Sequence, residues 1–271
     1  MSLFLSAMEL TALSTAAPRM IHDLHGTTGF FWVGTASLLA ATASPMSGGV
    51  AEIFGRQPAL ITALGIFGLG SVLCGTARNT TWGIIGRTVQ GIGSGAIQSL
   101  SYIIVSDLVS LQERGTYNAI LGLAWAVAAT VGPLVGGSLA QKGLWRWLFY
   151  LNLPVCGVAI IAAIFLLRLP KPQGKLREKL QKMDWIGNFL VIASSVVFII
   201  GLSWGGSVYP WSSFRVIATL TAGFFGFIFF LIYEANWASN PIVPFSLLSN
   251  RSSVSGYIQN FTGVLVLIAL D

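Results

Sequence analysis

The stretch ATVGPLVGGSLA, residues 129–140, decides how the rest of the chain is read. It lies in an apolar run of helical length, yet it holds three glycines and a proline. In water each Gly would cost a helix about 1 kcal/mol and each Pro about 3 kcal/mol. In a bilayer the balance differs. Helix association there depends on close packing, which small residues permit, and neighbouring helices satisfy the carbonyl that a proline frees. Gly132 and Gly136 make a small-xxx-small face, and Pro133 permits a kink. The stretch therefore reads as part of a membrane helix, either at a tight crossing or at a moving joint.

Composition points the same way. Of 271 residues, 54% are hydrophobic and 9% charged, with nine Trp and seventeen Phe; mean hydropathy is +0.77. Soluble domains carry about 25% charged residues. Apolar runs recur along the chain, so the expected fold is all-α and polytopic. The expected spans are 2–18, 30–51, 58–77, 82–105, 117–140, 147–168, 185–204, 214–233 and, incomplete, 254–271. Most hold about 20 residues, or about 30 Å at helical rise. No basic leader of a cleavable signal peptide is evident, and the chain opens directly on an apolar segment, as though a cytoplasmic lead-in were missing.

The net charge of +6 is not a nucleic-acid signal, because six Lys/Arg cluster between Arg168 and Lys182 and no nucleic-acid motif appears. With residue 1 cytoplasmic, inside stretches hold Arg56, Arg114, Arg168, Lys171, Lys175, Arg177, Lys179, Lys182 and Arg251. Outside stretches hold Arg19, Arg78, Lys142, Arg146 and Arg215. This is the positive-inside bias, and it places Trp145, Trp147, Phe149 and Tyr150 at the outer interface, where aromatic belts sit. The segment LPKPQGKLREKLQKM, residues 169–183, reads as a solvated basic tether able to lie on anionic lipid. Cys74 and Cys156 lie inside apolar runs, which argues against a disulfide framework, and His22, Asp23 and His25 read as a solvated loop. Asn79-Thr80-Thr81 is a glycosylation triplet expected to be unused in so short an outer loop.

Two ionisable residues fall where charge is expensive. Glu9 lies in the first span, about 13 Å from its outer end, and Arg87 lies in the fourth, about 9 Å from its outer end. A charge at the bilayer centre costs at least about 2.5–3.5 kcal/mol, so such groups face a partner or a cavity. Arg87, Gln90, Ser94, Gln98 and Ser101 follow at spacings that share one helical face. That stripe reads as the lining of a wet cavity, or as a polar seam between helices. Glu9 is the candidate proton carrier and Arg87 its electrostatic partner, the competing view being a permanent structural pair. Pro45-Met46-Ser47-Gly48-Gly49 and Pro133-Leu134-Val135-Gly136-Gly137 both read P-x-x-G-G, in the second members of consecutive three-span blocks. Matched Gly/Pro interruptions in inverted repeats point to a transporter.

These residues resemble the major facilitator superfamily. Gly48-Gly49-Val50-Ala51-Glu52-Ile53-Phe54-Gly55-Arg56-Gln57 is similar to the family's loop between spans two and three, with Glu52 for its Asp and with Ile53 and Gln57 for two basic residues. The resemblance implies a cytoplasmic gate at Gly48, Glu52, Gly55 and Arg56, the acid capping a helix N-terminus or pairing with Arg56. Arg87-Thr88-Val89-Gln90-Gly91 resembles the span-four motif linked to proton transfer. Gly132, Pro133, Gly136 and Gly137 resemble the span-five antiporter motif, with Ala128 at an upstream small position. Glu9-Leu10-Thr11 with Ala17-Pro18 resembles the first-span signature of fourteen-span drug:proton antiporters, and it adds Thr11 to the cavity lining. Trp145 to Pro154 and Asp184-Trp185-Ile186-Gly187 resemble the starts of that group's sixth span and first extra span.

The resemblance implies a six-helix half over 1–168, the basic linker 169–183, a two-span insert over 184–233, and a loop with the first, truncated helix of a second half over 234–271. It implies proton-coupled efflux of small amphipathic compounds, most like that of fungal exporters of drugs, toxins and secondary metabolites, by alternating access. The protein is expected to be monomeric, to sit in the plasma membrane first and the vacuolar membrane second, and to meet lipid, protons and a small-molecule substrate. No cofactor, metal, nucleic acid or enzymatic constellation is expected. The rivals are uptake or amino-acid or siderophore carriage on the same scaffold, a receptor-like membrane protein, and an inactive truncation.

Overall fold

The structure, a computed structural model, describes residues 1–24, 30–167, 169, 180, 183–238, 241–242, 254–256, 258–259 and 262. The regular elements among them are helices: α1 Ser2–Asp23, α2 Phe30–Ala41, α3 Ser44–Phe54, α4 Arg56–Gly75, α5 Thr80–Leu108, α6 Arg114–Gln141, α7 Arg146–Leu166, α8 Trp185–Trp204 and α9 Phe214–Asn236. Of these, α4, α6, α7, α8 and α9 are long and apolar enough to cross a membrane. Helices α1 and α5 are as long, at 22 and 29 residues, but are diluted by polar and small side chains. The incomplete span at 254–271 and the tether at 169–183 lie largely outside the described residues.

Two boundaries differ from the sequence reading. The span expected at 30–51 is broken into α2 and α3. Pro45 has no N–H to donate and its ring would clash with a preceding carbonyl. The chain therefore turns at Thr42 and Ala43, whose amides donate to Leu39 and Ala40, and Pro45 opens the next helix. Helix α1 instead runs through Pro18 to Asp23. Tertiary burial holds this last turn, because Met20 and Leu24 pack with Trp145, Leu148 and Phe149. Gly55 then joins α3 to α4 at φ 99°, a left-handed backbone that disfavours any Cβ.

Helix α5 is central, packed between α4 and α2; α4 also packs on α7, and α1 on α6. A core of Leu64, Phe67, Ile97, Leu100 and Cys156 fills the α4–α5–α7 side. Helices α8 and α9 form a pair that meets the bundle at α2. Small residues make that pair possible: a Cβ on Gly223 would meet Phe198 Cβ at 2.7 Å. A compact turn closes it, with Arg215 Nη1 donating to Tyr209 Oη at 2.5 Å and stacking over its ring.

Candidate functional site

The site begins with backbones that come unusually close. A Cβ on Gly91 of α5 would meet Ser37 Cα at 2.7 Å, and one on Gly70 of α4 would meet Gln90 Cα at 2.6 Å. Those two glycines allow α2 and α4 to press against α5 on either side of Arg87. The result is a guanidinium with no exposed surface whose nitrogens are matched one by one. Nη1 of Arg87 pairs with the Glu9 carboxylate and donates to Gln90 Oε1 at 2.8 Å. Nη2 donates to Ser37 Oγ at 2.6 Å, and Nε donates to the Val33 carbonyl at 3.4 Å. Glu9 itself is 5% exposed.

The polar contacts continue past Arg87. Gln90 Nε2 donates to Ser71 Oγ at 2.9 Å, and Ser71 Oγ donates to the Phe67 carbonyl at 3.0 Å. Asn152 Nδ2 of α7 reaches the same Ser71 oxygen at 3.5 Å. Gln90, Ser71 and Asn152 are all completely buried. The cluster thus spans α1, α2, α5, α4 and α7. A buried ion pair offsets its desolvation only when the remaining donors and acceptors are also satisfied; here Ser37, Val33 and Gln90 meet that need for Arg87.

Where the sequence reading expects a shared chamber, the Glu9 and Arg87 side chains are in direct contact. The two side chains do stand at a common height and they face each other. Gln90 belongs to a seam between α4 and α5, because its amide is consumed on both sides. Ser94 and Ser101 are half-buried and bond back to the carbonyls of Gly91 and Ile97, while Gln98 is exposed. Thr11 is likewise turned to backbone: its hydroxyl lies 3.1 Å from the carbonyls of Ala7 and Met8 and 3.3 Å from that of Ala128 on α6.

The proline-glycine motif of α6 lies on α1. A Cβ on Gly132 would strike Thr11 Oγ1, with the Met8 carbonyl at 2.9 Å; one on Gly136 would strike the Ala12 carbonyl and lie 2.5 Å from Thr15 Oγ1. Gly137 instead borders open space. Pro133 sits inside a helix that continues to Gln141. The P-x-x-G-G echo thus holds in letters but not in backbone, since Pro45 follows a helix break and Pro133 does not. Gly48 of α3 lies 3.6 Å by its absent Cβ from Ile103 of α5.

The expected gate pairing is corrected too. Glu52 stands exposed in the last turn of α3 rather than at a helix N-terminus. Arg56 pairs with Asp107 at the end of α5, Nε to Oδ2 at 2.9 Å. Gln57, in place of a basic residue, donates to the Ala163 and Ile164 carbonyls at 3.0 and 3.2 Å. Those carbonyls lie in the last turn of α7, where that of Ala163 also accepts from Leu167 N at 3.2 Å, so a neutral amide ties α4 to α7 where a cation was the family pattern. Arg114 Nη2 bonds the Ser106 carbonyl at 2.8 Å, at this same end of the bundle.

The opposite end is tied by Trp145, which faces inward with no exposed surface rather than joining an aromatic belt. A buried indole N–H needs an acceptor, and Trp145 Nε1 finds Asp23 Oδ2 at 2.9 Å. Phe149 is buried beside it, whereas Trp147 is exposed. Arg146 stacks over the Trp145 ring and donates to the Ala77 carbonyl at 3.0 Å. Asp23 and His22 belong to the last turn of α1, not to a loop; His25 lies outside the described residues. Burial raises the Asp23 pKa, but the Trp145 and His22 hydrogen bonds and Arg19 outweigh it and hold the carboxyl below its ordinary value. Asp23 therefore supports the fold at neutral pH and loses its charge only below the usual carboxylate range. Asn79 caps α5, its Oδ1 accepting from Trp82 N at 2.8 Å.

Sequence reasoning missed Ser37, Ser71, Asn152 and Asp107. A signal existed for the first three, since a polar side chain in an apolar helix must find a partner, but only packing shows which one.

A model of the Major Facilitator Superfamily matches residues 1–269. A Fusarium protein named MFS-type efflux pump LUC4 is 41% identical over 267 residues, covering 97% of this chain and 47% of that protein. Efflux pump FUS6 of Gibberella fujikuroi is 42% identical over 267 residues, 97% of this chain and 48% of that protein. A transporter of Aspergillus aculeatus named for the acurin A biosynthesis cluster is 39% identical over 267 residues, again 97% and 48%. The human organic anion transporter MFSD10 shares the fold, with a TM-score of 0.56 at 19% identity over 80% of this chain and 57% of that one. The chain spans about half the length of the curated relatives it matches. A chain of apolar spanning helices, matched by the family's model over residues 1–269, is an integral multi-pass membrane protein that belongs to the major facilitator superfamily.

Proposed function

We propose that this chain forms the first half of a proton-driven exporter of small amphipathic compounds. The observation that carries the reading is the buried pairing of Glu9 with Arg87. Arg87 is anchored to α2 and α5 by Ser37, Val33 and Gln90, so it is the fixed member. Glu9 is held on α1, which rests on a glycine face of α6. Protonation of Glu9 removes one charge of the pair and loosens α1 from α5; deprotonation restores it. A group that changes its partner on taking up a proton couples the proton gradient to a change between inward-open and outward-open states.

The efflux names of the fungal relatives support export over uptake. The domain plan follows: 1–168 as a six-helix half, 169–183 as a basic linker, 184–233 as a two-span insert, and 234–271 as the loop and opening helix of a second half. The separate pairing of α8 with α9 supports the insert. Ser94, Gln98 and Ser101 on α5 then line the central cavity toward the cytoplasm, and the gate gathers at Gly48, Gly55 and the Arg56–Asp107 pair. The plasma membrane is the expected site, and the protein acts as a monomer.

The test is transport by the full-length protein in proteoliposomes with an imposed pH gradient and a cationic amphipathic dye. Dye moving against the proton flux supports export. Dye moving with the protons makes the protein an uptake carrier, and dye binding without turnover makes it a receptor.

A further inference from the structure

The buried polar chain does not end at Gln90. An amide can present either its oxygen or its nitrogen to a neighbour, and only the oxygen attracts a guanidinium. Nothing within Gln90 sets that choice; its α4 neighbours do. The Cys74 thiol faces Gln90 Oε1 at 3.7 Å, and the Ser71 oxygen accepts from Gln90 Nε2 at 2.9 Å, while the Ser71 proton goes to the Phe67 carbonyl at 3.0 Å. Asn152 Nδ2 approaches the same oxygen at 3.5 Å. With its proton committed and a second donor facing it, Ser71 is an acceptor for Gln90, and the Gln90 oxygen is turned to Arg87. Neither Ser71 nor Asn152 has exposed surface, so neither touches a transported compound. Asn152 Oδ1 is buried with no hydrogen-bond partner, an expensive arrangement unless the side chain has another use.

We propose that Ser71 and Asn152 are positioning residues that act through Gln90 to hold Arg87 against Glu9, and so set the pH at which the transporter works. The inference rests on the proton-exchange reading above. Arg87 is the charged group turned toward Glu9. Helix α2 carries no charged residue, and on α1 itself Arg19, His22 and Asp23 lie at the outer end; α6 and α7 carry theirs at their first residues, Arg114 and Arg146, α4 carries Arg56, and α5 adds Asp107, paired with Arg56 at the far end, while the Cys74 thiol of α4 meets Gln90 rather than Glu9. The control of this ion pair therefore comes from neutral hydrogen bonds rather than from a second charge.

The experiment measures the pH profile of dye exchange by the full-length protein in proteoliposomes for wild type, Ser71→Ala, Asn152→Leu and the double variant. Loss of either group loosens Arg87 and moves the midpoint toward alkaline pH, by about half a unit for each single variant, the scale of one weakened neutral hydrogen bond. Because both act through one amide, the double variant shifts no further than the larger single one. Ser71→Ala removes one oxygen and keeps the test valid if Asn152→Leu fails to insert. An unmoved midpoint in Ser71→Ala overturns the proposal, and so do fully additive shifts. A wild-type profile flat with pH overturns the exchange reading itself, a separate result from a pH-dependent wild type whose variants match it.

Discussion

Helix α1 crosses two neighbours in two different ways. Against α5 it presents Glu9 to a buried guanidinium, a contact made of charge and direction. Against α6 it presents Met8, Thr11, Ala12 and Thr15 to Gly132 and Gly136, a contact made of close backbone approach. The first crossing changes strength when one proton binds. The second has few long side chains to disengage, so a small shift costs little there. Set side by side, they show how one helix can carry a chemical switch on one face and a bearing surface on the other. The contrast also assigns different failures to each face: loss of coupling on one, loss of packing on the other.

The largest effect is expected at the charged crossing. Glu9→Gln keeps shape and burial but removes the ionisable group; pH-driven dye transport by the full-length protein should vanish while membrane insertion is kept. Unchanged coupling would remove Glu9 from the mechanism. Next comes Arg87→Leu, which leaves a buried carboxylate without its cation. Such a loss costs about 3–5 kcal/mol, to be read as lowered thermal stability in detergent. Partial recovery in the double variant Glu9→Gln/Arg87→Leu would show that the unpaired charge is the cause, and no recovery would locate it elsewhere.

Smaller effects belong to the α1–α6 face. Gly136→Val forces a side chain into the Ala12 carbonyl and Thr15 and should cost about 1–3 kcal/mol by overpacking, with the pH midpoint of residual transport unchanged. A moved midpoint would break the division between the two faces. Pro133→Ala should change transport rate more than membrane abundance; equal loss of both would leave it a packing role only. Gly137→Ala, which borders open space in this chain, should stay within about 0.5 kcal/mol of wild type. A larger loss would show that another helix covers that position in the membrane.

Much of this was readable beforehand, for definite reasons. Glu9 and Arg87 stand out because charge in an apolar run needs a partner, and their helical depth brings them within reach. Gly132 and Gly136 stand out because glycines four apart share a face. The break between α2 and α3 was hidden: Pro45 follows an otherwise continuous apolar run, and its effect depends on the turn at Thr42 and Ala43. Trp145 was misplaced because an aromatic near a helix end fits a lipid belt and a buried anchor equally well until Asp23 is seen beneath it. The family resemblance offered Glu52 a helix N-terminus or Arg56, whereas Asp107, fifty-one residues from Arg56, holds that bond.

Composition and periodicity by themselves determined that this chain lives in a membrane, that it is helical, and which two charges must be shielded from lipid. These follow from the cost of exposing polar groups to hydrocarbon, a local property of each segment. Only the tertiary structure decided that the two charges are in direct contact, that Gln90 joins the pair to Ser71 and Asn152, and that α1 rests on the glycines of α6. Those outcomes depend on which backbones approach within van der Waals contact, and residues such as Ser37 and Arg87, fifty positions apart, meet only after the helices have packed.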